Sequence, residues 1–309
     1  MVRKEDLYYD SRDCIHKIHA IKWVDNEKEQ KGIIQIVHGM GEYIGRYDEM
    51  ASYLASQGYI VAGNDHLGHG ESVKDASEYG YFCDKDSLTV LVRDVHRLKK
   101  MMENEYPMLP IYILAHSMGS LIFRNYFCRY KKGFKGVILE GTASHSTLKV
   151  KSGQLLVASI ALVKGWKYRS KFVMDLFEEN PNAKIKHPKY QHDWLSCDEK
   201  IVEKYTNDEK CGFVFTLKGL FVIMQAVDNL NKKKYLANMQ KDIPVVFLSG
   251  SDDPVGGYGK GVNRAAMQMR AAGMQNVQVK LYSGCRHEVH NEIERRKFYE
   301  DVLNFIENM

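Results

Sequence analysis

Hydrophobic and polar positions along the chain fall into two regimes. In residues 32–142, and again from 243 onward, short apolar runs alternate with stretches of helical spacing. Gly32-Ile-Ile-Gln-Ile-Val-His38, Tyr59-Ile-Val-Ala62, Ile111-Tyr-Ile-Leu114, Phe134 to Leu139, Ile243 to Leu248 and Val277 to Tyr282 are short, apolar and rich in β-branched residues, as buried strands are. Between them, Arg46 to Gln57 reads as a helix closed by Gly58. Asp86 to Tyr106 places Leu88, Leu91, Val92, Val95, Leu98 and Met102 on one helical face. Leu121 to Tyr130 and the region from Lys260 to Ala272 have the same character. A final helix is expected from Asn291, which stands at capping-box spacing from Glu294. Ahead of this region, residues 5–24 alternate weakly and predict two antiparallel strands. Strands alternating with helices imply an α/β fold, a parallel sheet covered on both faces.

The alternation stops at residue 143 and resumes at 243. Leu155 to Val163 is apolar nearly all round, Asn180 to Trp194 is polar with Pro181 and Pro188, and Cys211 to Met224 is apolar and aromatic. This pattern predicts a helical cap inserted over the C-terminal edge of the sheet. The chain divides into a core, 1–142 and 243–309, and a cap, 143–242.

Composition narrows the class. With 309 residues, 44% of them apolar, the chain has enough material for one large core or for a core with an insertion. The net charge of +5 is spread among 39 acidic residues without an aromatic-interleaved basic patch, which argues against nucleic acid. The first residues, Met1-Val-Arg-Lys-Glu-Asp6, lack the apolar core of a signal peptide. No apolar run approaches the ~20 residues that span a bilayer. The six cysteines are dispersed and never form C-x-x-C, so reduced thiols and a cytoplasmic location are expected.

The chemistry centres on Ala115-His-Ser-Met-Gly119. A short strand breaks there into a helix, and the corner exposes Ser117 between small residues at two positions before and two after it. A serine hydroxyl is a weak nucleophile until a base takes its proton and a third group orients that base. Later strand ends supply both groups: Asp253, with Asp252 beside it as the alternative, follows the strand ending at Leu248. His287, with His290 as the alternative, follows the strand ending at Tyr282. His287 lies in the loop directly after the strand, whereas His290 approaches the last helix. Asp65, His66 and His69 do not make a convincing metal set, and no H-E-x-x-H occurs, so no metal and no cofactor are expected.

With these residues in place the chain resembles the α/β-hydrolase superfamily, and within it the monoacylglycerol lipase and lysophospholipase group, whose pattern the serine aminopeptidases share. The matching segments are His38-Gly-Met-Gly-Glu42, Asp65-His-Leu-Gly-His-Gly-Glu-Ser72, His116-Ser-Met-Gly119, Gly250-Ser-Asp-Asp-Pro-Val255 and His287-Glu-Val-His-Asn-Glu292. Asp193-Trp-Leu-Ser196 and Cys211-Gly-Phe213 resemble the cap of bacterial lysophospholipases. Ala115 departs from the family's G-x-S-x-G pattern. The resemblance implies a mostly parallel eight-stranded sheet with helices on both faces and an inserted helical cap. It implies Ser117 as nucleophile, Asp253 as acid, His287 as base, and the backbone N–H groups of Met40 and Met118 as the oxyanion hole.

The implied activity is hydrolysis of carboxylic esters through an acyl-enzyme, with a monoacylglycerol or lysophospholipid as substrate. A small-ester carboxylesterase, a thioesterase or a serine aminopeptidase would use the same chemistry, the last needing acidic groups such as Asp175, Glu178 or Glu179 to hold an ammonium. A non-catalytic receptor on the same fold is the reading from another class. Leu155, Leu156, Ile160, Phe213, Phe215 and Phe221 are the apolar cap residues expected to line an acyl pocket. The partner is then a small acyl ester or lipid, with at most transient contact with a membrane surface; the sequence sets no oligomeric state.

Overall fold

The computed structural model describes residues 1–130 and 132–308. An antiparallel pair opens the chain, β1 (Val2–Asp10) with β2 (Lys17–Asp25). Then β3 (Gly32–Val37), α1 (Asp48–Ser56), β4 (Tyr59–Asn64), α2 (Ser87–Glu105), β5 (Ile111–His116), α3 (Met118–Arg129) and β6 (Gly136–Glu140) alternate. Five helices follow without a strand: α4 (Thr147–Lys164), α5 (Lys171–Glu178), α6 (Glu199–Thr206), α7 (Leu217–Leu230) and α8 (Lys233–Leu236). The alternation returns with β7 (Val245–Gly250), α9 (Lys260–Ala271), β8 (Val277–Tyr282) and α10 (Arg295–Glu307).

The strands form one eight-stranded sheet in the order β1-β2-β4-β3-β5-β6-β7-β8. β1, β2 and β4 pair antiparallel, and every pairing from β4 to β8 is parallel. Each central strand sends alternate residues to two separate cores, as a pleat must. Ile113, Val137, Leu139, Val245 and Phe247 pack under α2, α3 and α9, while Leu114, Ile138, Val246 and Leu248 pack under α1 and α10. Both faces are therefore buried, which is why these strands read as continuous apolar runs. The buried Gln35 is accommodated by donating its amide to the Val95 carbonyl in α2, 2.9 Å away.

Several boundaries move from the sequence reading. β6 starts at Gly136, with Phe134 outside the strand but packed in the core. The helix after Ser117 begins at once, at Met118, because the turn is the helix start. The capping box at Asn291 does not form: its side-chain amide donates to Glu288 at 2.8 Å, and α10 begins later, at Arg295.

Candidate active site

β5 ends in a turn where Ser117 takes φ 49° and ψ −119°. A non-glycine residue holds such a backbone only under strain, on the order of 1–3 kcal/mol. The neighbouring strand supplies the restraint: the Ser117 N–H donates to the Glu140 carbonyl at the end of β6, 2.9 Å away. Gly119 makes the turn sterically possible. A methyl group there would come within 2.1 Å of the Val37 carbonyl oxygen and 2.4 Å of that of His38. Ala115 is a buried β5 residue between Val37 and Leu139, so the position two before the serine takes a methyl group without loss of the turn.

The structure brings Ser117, His287 and Asp253 into one hydrogen-bonded chain. Ser117 Oγ lies 2.9 Å from His287 Nε2, and His287 Nδ1 lies 3.0 Å from Asp253 Oδ1. Asp253 is fully buried and also accepts from the Val255 N–H at 2.8 Å and the Ser249 hydroxyl at 3.2 Å, which fixes its rotation. Asp252 is exposed and takes no part. The loop that carries His287 passes directly over Gly250, where a methyl group would lie 2.0 Å from the Cys285 carbonyl oxygen. Burial disfavours a charged His287, yet the Asp253 carboxylate, helped by Glu288 and Glu140, outweighs it and holds the imidazole above its ordinary value. With Nδ1–H donated to Asp253, Nε2 is free to accept the serine proton.

His290 belongs to a different pair. Its Nδ1 lies 2.8 and 2.9 Å from the two Glu140 carboxylate oxygens, and its N–H donates to Glu140 at 3.0 Å. His116, Glu140 and His290 form a buried group with ligand-like spacing. Burial opposes charge on both members of the pair, but each partner reverses it: Glu140 is held low by His290 and His116, and His290 is held high by Glu140. The group thus reads as a buried, hydrogen-bonded carboxylate–imidazole pair behind the serine turn. Asp65 is a structural hub, accepting from the Ile44 N–H at 2.7 Å and the Glu71 N–H at 2.9 Å and pairing with His19 at 2.8 Å.

Three neutral histidines hold the loop that carries Met40. Burial lowers His38, and pushes His66 down to about 3 and His69 down to about 4. His38 donates Nδ1–H to the Gly39 carbonyl at 2.9 Å and accepts the His66 N–H at Nε2, also at 2.9 Å. His69 accepts the Gly41 N–H at 3.3 Å. Met40 and Met118 both border the cavity above Ser117, and neither amide donates to a protein acceptor among the described residues.

That cavity has a volume of about 460 Å³ and lies between the sheet edge and the inserted helices. Of the expected apolar lining, Phe213 and Phe215 are on its wall. Leu155, Leu156, Ile160 and Phe221 are not. Leu155 is 69% exposed on the outer side of α4, Ile160 packs against the main core, and Phe221 packs edge-on against Trp166. An all-apolar helix carries no periodic signal for which face turns inward. The wall is built instead by Val150, Met174, Phe177, Ile223, Met224 and Val227. Sequence reasoning also passed over Tyr205 and any site role for Arg46, and it touched Trp194 and Gly212 only within segments that resemble the family's cap. Their partners across the site, Glu288 for Arg46, His287 for Trp194 and Gly41 for Tyr205 and Gly212, lie far away in the chain, so no local spacing marks them.

An eight-stranded sheet of this order, with a strained serine turn after β5 and its histidine and aspartate after β8 and β7, defines an α/β-hydrolase of the serine type. The family model for serine aminopeptidase S33 matches residues 28–294, and the chain belongs to that family. Monoacylglycerol lipase of Mycolicibacterium smegmatis is 28% identical over 91% of this chain and 89% of its own. Monoglyceride lipase of Rattus norvegicus is 27% identical over 85% and 77%. Among solved structures, a thermostable carboxyl esterase from Bacillus coagulans in complex with glycerol superposes with a TM-score of 0.90 at 28% identity, covering 99% of this chain and 98% of that one.

One charged group ties the two sides of the site together. Arg46 donates to both Glu288 oxygens at 2.7 and 2.6 Å and to Glu42 at 2.8 Å, with all three side chains buried. Burial alone would raise the Glu288 carboxyl; the Arg46 guanidinium more than reverses this and holds it low. A lowered folded-state value means stability that is present above the ordinary glutamate value of ~4.3 and lost as pH falls towards the folded value. Arg46→Met strands two buried carboxylates, at a cost of about 3–5 kcal/mol. Urea unfolding at pH 7 should show that loss, and at pH 4 the gap between variant and wild type should narrow. An equal gap at both values is incompatible with this account.

Proposed function

We propose that this protein hydrolyses monoacyl lipid esters, monoacylglycerols or lysophospholipids, through a Ser117 acyl-enzyme. The observation that carries this reading is the Ser117–His287–Asp253 chain opening onto a cavity whose wall is largely apolar. His287 takes the hydroxyl proton as Ser117 Oγ attacks the ester carbonyl. The alkoxide oxygen that develops is held by the Met40 and Met118 N–H groups, each donor contributing about 3 kcal/mol in comparable sites. His287 then returns the proton to the leaving alcohol, and water repeats the cycle to release the fatty acid. The proposed division is a hydrolase core, 1–142 and 243–309, with residues 143–242 acting as the cap.

The relatives named as monoacylglycerol lipases support the lipid over other esters, and the cavity volume suits one acyl chain. The aminopeptidase reading needs a carboxylate for the substrate ammonium. Glu178 and Glu179 border the cavity, but burial pushes Glu178 up to about 7 and Glu179 is already paired with Lys149, so neither is a strong anchor. Exposed Leu148, Leu155, Leu162, Val163 and Phe172, with Lys149, Lys151, Lys164 and Lys171 on the same two helices, support transient contact of the cap with a lipid surface. No helix among the described residues is long and apolar enough to cross a membrane. Six free cysteines fit the proposed cytoplasmic location.

Ser117→Ala, His287→Ala and Asp253→Asn should each lower kcat by about 10⁴-fold or more while the protein stays folded, and combined losses should not add. An Asp252→Asn variant as damaged as Asp253→Asn speaks against the assignment of the acid.

Because His287 must be neutral to act as base, kcat/KM should rise with pH. The apparent pKa should lie above the ordinary histidine value of ~6.5, since Asp253 holds the folded value up. A limb centred below that value is the contrary result.

Each buried methylene contributes about 0.8 kcal/mol before ordering costs. Across C2 to C16 monoacyl esters kcat/KM should therefore climb with chain length, exceeding that for aminoacyl anilides and for triacylglycerols. Phe177→Ala on the cavity wall should flatten the climb, whereas Leu155→Ala on the outer face should leave it unchanged. Acetate esters as best substrates, or equal effects of the two variants, favour the small-ester or peptidase reading.

A further inference from the structure

The inserted segment touches both halves of the reacting centre through specific hydrogen bonds, made by residues of which Trp194, Leu195, Tyr205 and Gly212 also border the cavity while Arg286 and Glu292 do not. On the oxyanion side, three successive peptide planes are each pinned by a different partner. His38 holds the Gly39 carbonyl, and so the plane that carries the Met40 N–H. His69 holds the Gly41 N–H. The third plane is held from the insertion: the Tyr205 hydroxyl donates to the Gly41 carbonyl at 2.9 Å, and the Gly212 N–H donates to the same oxygen at 3.0 Å. Tyr205 is buried, and the Arg46 guanidinium lies over its ring, 4.7 Å from the centroid. Gly41 itself has φ +64°, so the loop shape depends on these restraints as well as on glycine.

On the base side, residues 193–197 run as a strap along residues 284–292. The Trp194 and Leu195 carbonyls accept the successive His287 and Glu288 N–H groups at 3.4 and 2.7 Å. The Trp194 ring lies 5.2 Å from the His287 ring. Arg286 donates one guanidinium nitrogen to the Asp193 and Ser196 carbonyls at 2.6 and 2.9 Å. Glu292, itself buried, fastens both strands: one carboxylate oxygen accepts the Arg286 N–H at 2.7 Å, and the other accepts the Cys197 N–H at 2.9 Å and lies 3.2 Å from the Ser196 hydroxyl. Two amide donors, one from each strand, thus meet the two oxygens of a single carboxylate.

We infer that the inserted segment positions the catalytic groups as well as enclosing the substrate, with Tyr205 setting the oxyanion loop and Glu292 fastening the strap that sets the base loop. Both are positioning residues: Glu292 lies off the cavity wall, and the hydroxyl of Tyr205, a residue that borders the cavity, is committed to the Gly41 carbonyl. The inference rests on the hydrolase reading above. A donor displaced by part of an ångström still binds the ground-state carbonyl, but it loses much of its grip on the transition state.

The test uses the full chain with a soluble p-nitrophenyl ester, comparing wild type, Ser117→Ala, Tyr205→Phe and Glu292→Gln. Both positioning variants are close to isosteric. Tyr205→Phe should lower kcat about tenfold, less than the ~100–1,000-fold of deleting an oxyanion donor, with KM within about twofold and the base limb of the pH profile unmoved. Gln at 292 can accept only one of the two amide N–H groups. Its kcat should fall by a similar factor, and the low-field proton resonance of His287 Nδ1–H, present in wild type and in Tyr205→Phe, should shift or broaden. Arg286→Lys, which cannot span both strap carbonyls, repeats the base-side test if Glu292→Gln does not fold. Wild-type kcat in Tyr205→Phe and in the base-side variant, with Ser117→Ala inactive, overturns the inference alone. An effect confined to KM overturns it too, because that is the signature of a lining role. Full activity in Ser117→Ala overturns the hydrolase reading instead.

Discussion

The turn at Ser117 is the constraint on which the rest of the site depends. Its backbone is unfavourable for any side-chain-bearing residue, so it persists only because its surroundings leave no room for a relaxed alternative. The Glu140 carbonyl holds the amide, α3 starts at the next residue, and Gly119 lies against the carbonyls of Val37 and His38. Those carbonyls belong to the end of β3 and the start of the Met40 loop. The strain that exposes the hydroxyl therefore also fixes the distance between the serine and the proposed oxyanion amides. Strand pairing β3–β5–β6 is what keeps that geometry from relaxing.

Around this turn the site spends polar groups in a dry environment, and each is kept by a specific partner. Glu140 with His290 and Arg46 with Glu288 are buried pairs in which burial and charge pull in opposite directions. The His38, His66 and His69 cluster takes the other solution and stays neutral, with His38 and His69 each using both ring nitrogens and His66 using Nε2 toward the His38 carbonyl. These choices matter for catalysis because a low-dielectric site strengthens every fixed dipole aimed at the reacting carbonyl. An unpaired charge in the same place would cost several kcal/mol.

Much of the core was legible in the sequence because its signal is local. A buried parallel strand is a short apolar run, and the C-terminal end of such a run is where this topology places reactive side chains. Ser117, His287 and the Asp252–Asp253 pair could therefore be proposed from strand ends, whereas the choice of Asp253 over Asp252 came from the family resemblance. The inserted helices gave no equivalent signal. Leu155, Leu162 and Val163 are as apolar as any core residue yet point outward, while the amphipathic α5 supplies Met174 and Phe177 to the cavity. Tyr205 reaches a carbonyl 164 residues earlier in the chain, a relation that no periodicity encodes. The Asn291–Glu294 spacing misled for a related reason: a better partner, Glu288, was available for the asparagine amide.

The same contrast explains how one scaffold supports different substrates. The serine turn and the ends of the two later strands are fixed by sheet geometry, and the loop beyond β8 is also held from above. The cavity wall is set by which faces of α4, α5 and α7 turn inward, and those faces can change with few constraints from the sheet. Tyr205, reaching from α6 to the Gly41 carbonyl, with the Arg46 guanidinium over its ring, and Glu292, accepting the Cys197 N–H, join the two layers through buried polar contacts. Such contacts are directional and lose their value when displaced, unlike apolar packing, which tolerates small shifts. Substitutions on the apolar wall can therefore retune the substrate while these few polar ties keep the reacting groups in register.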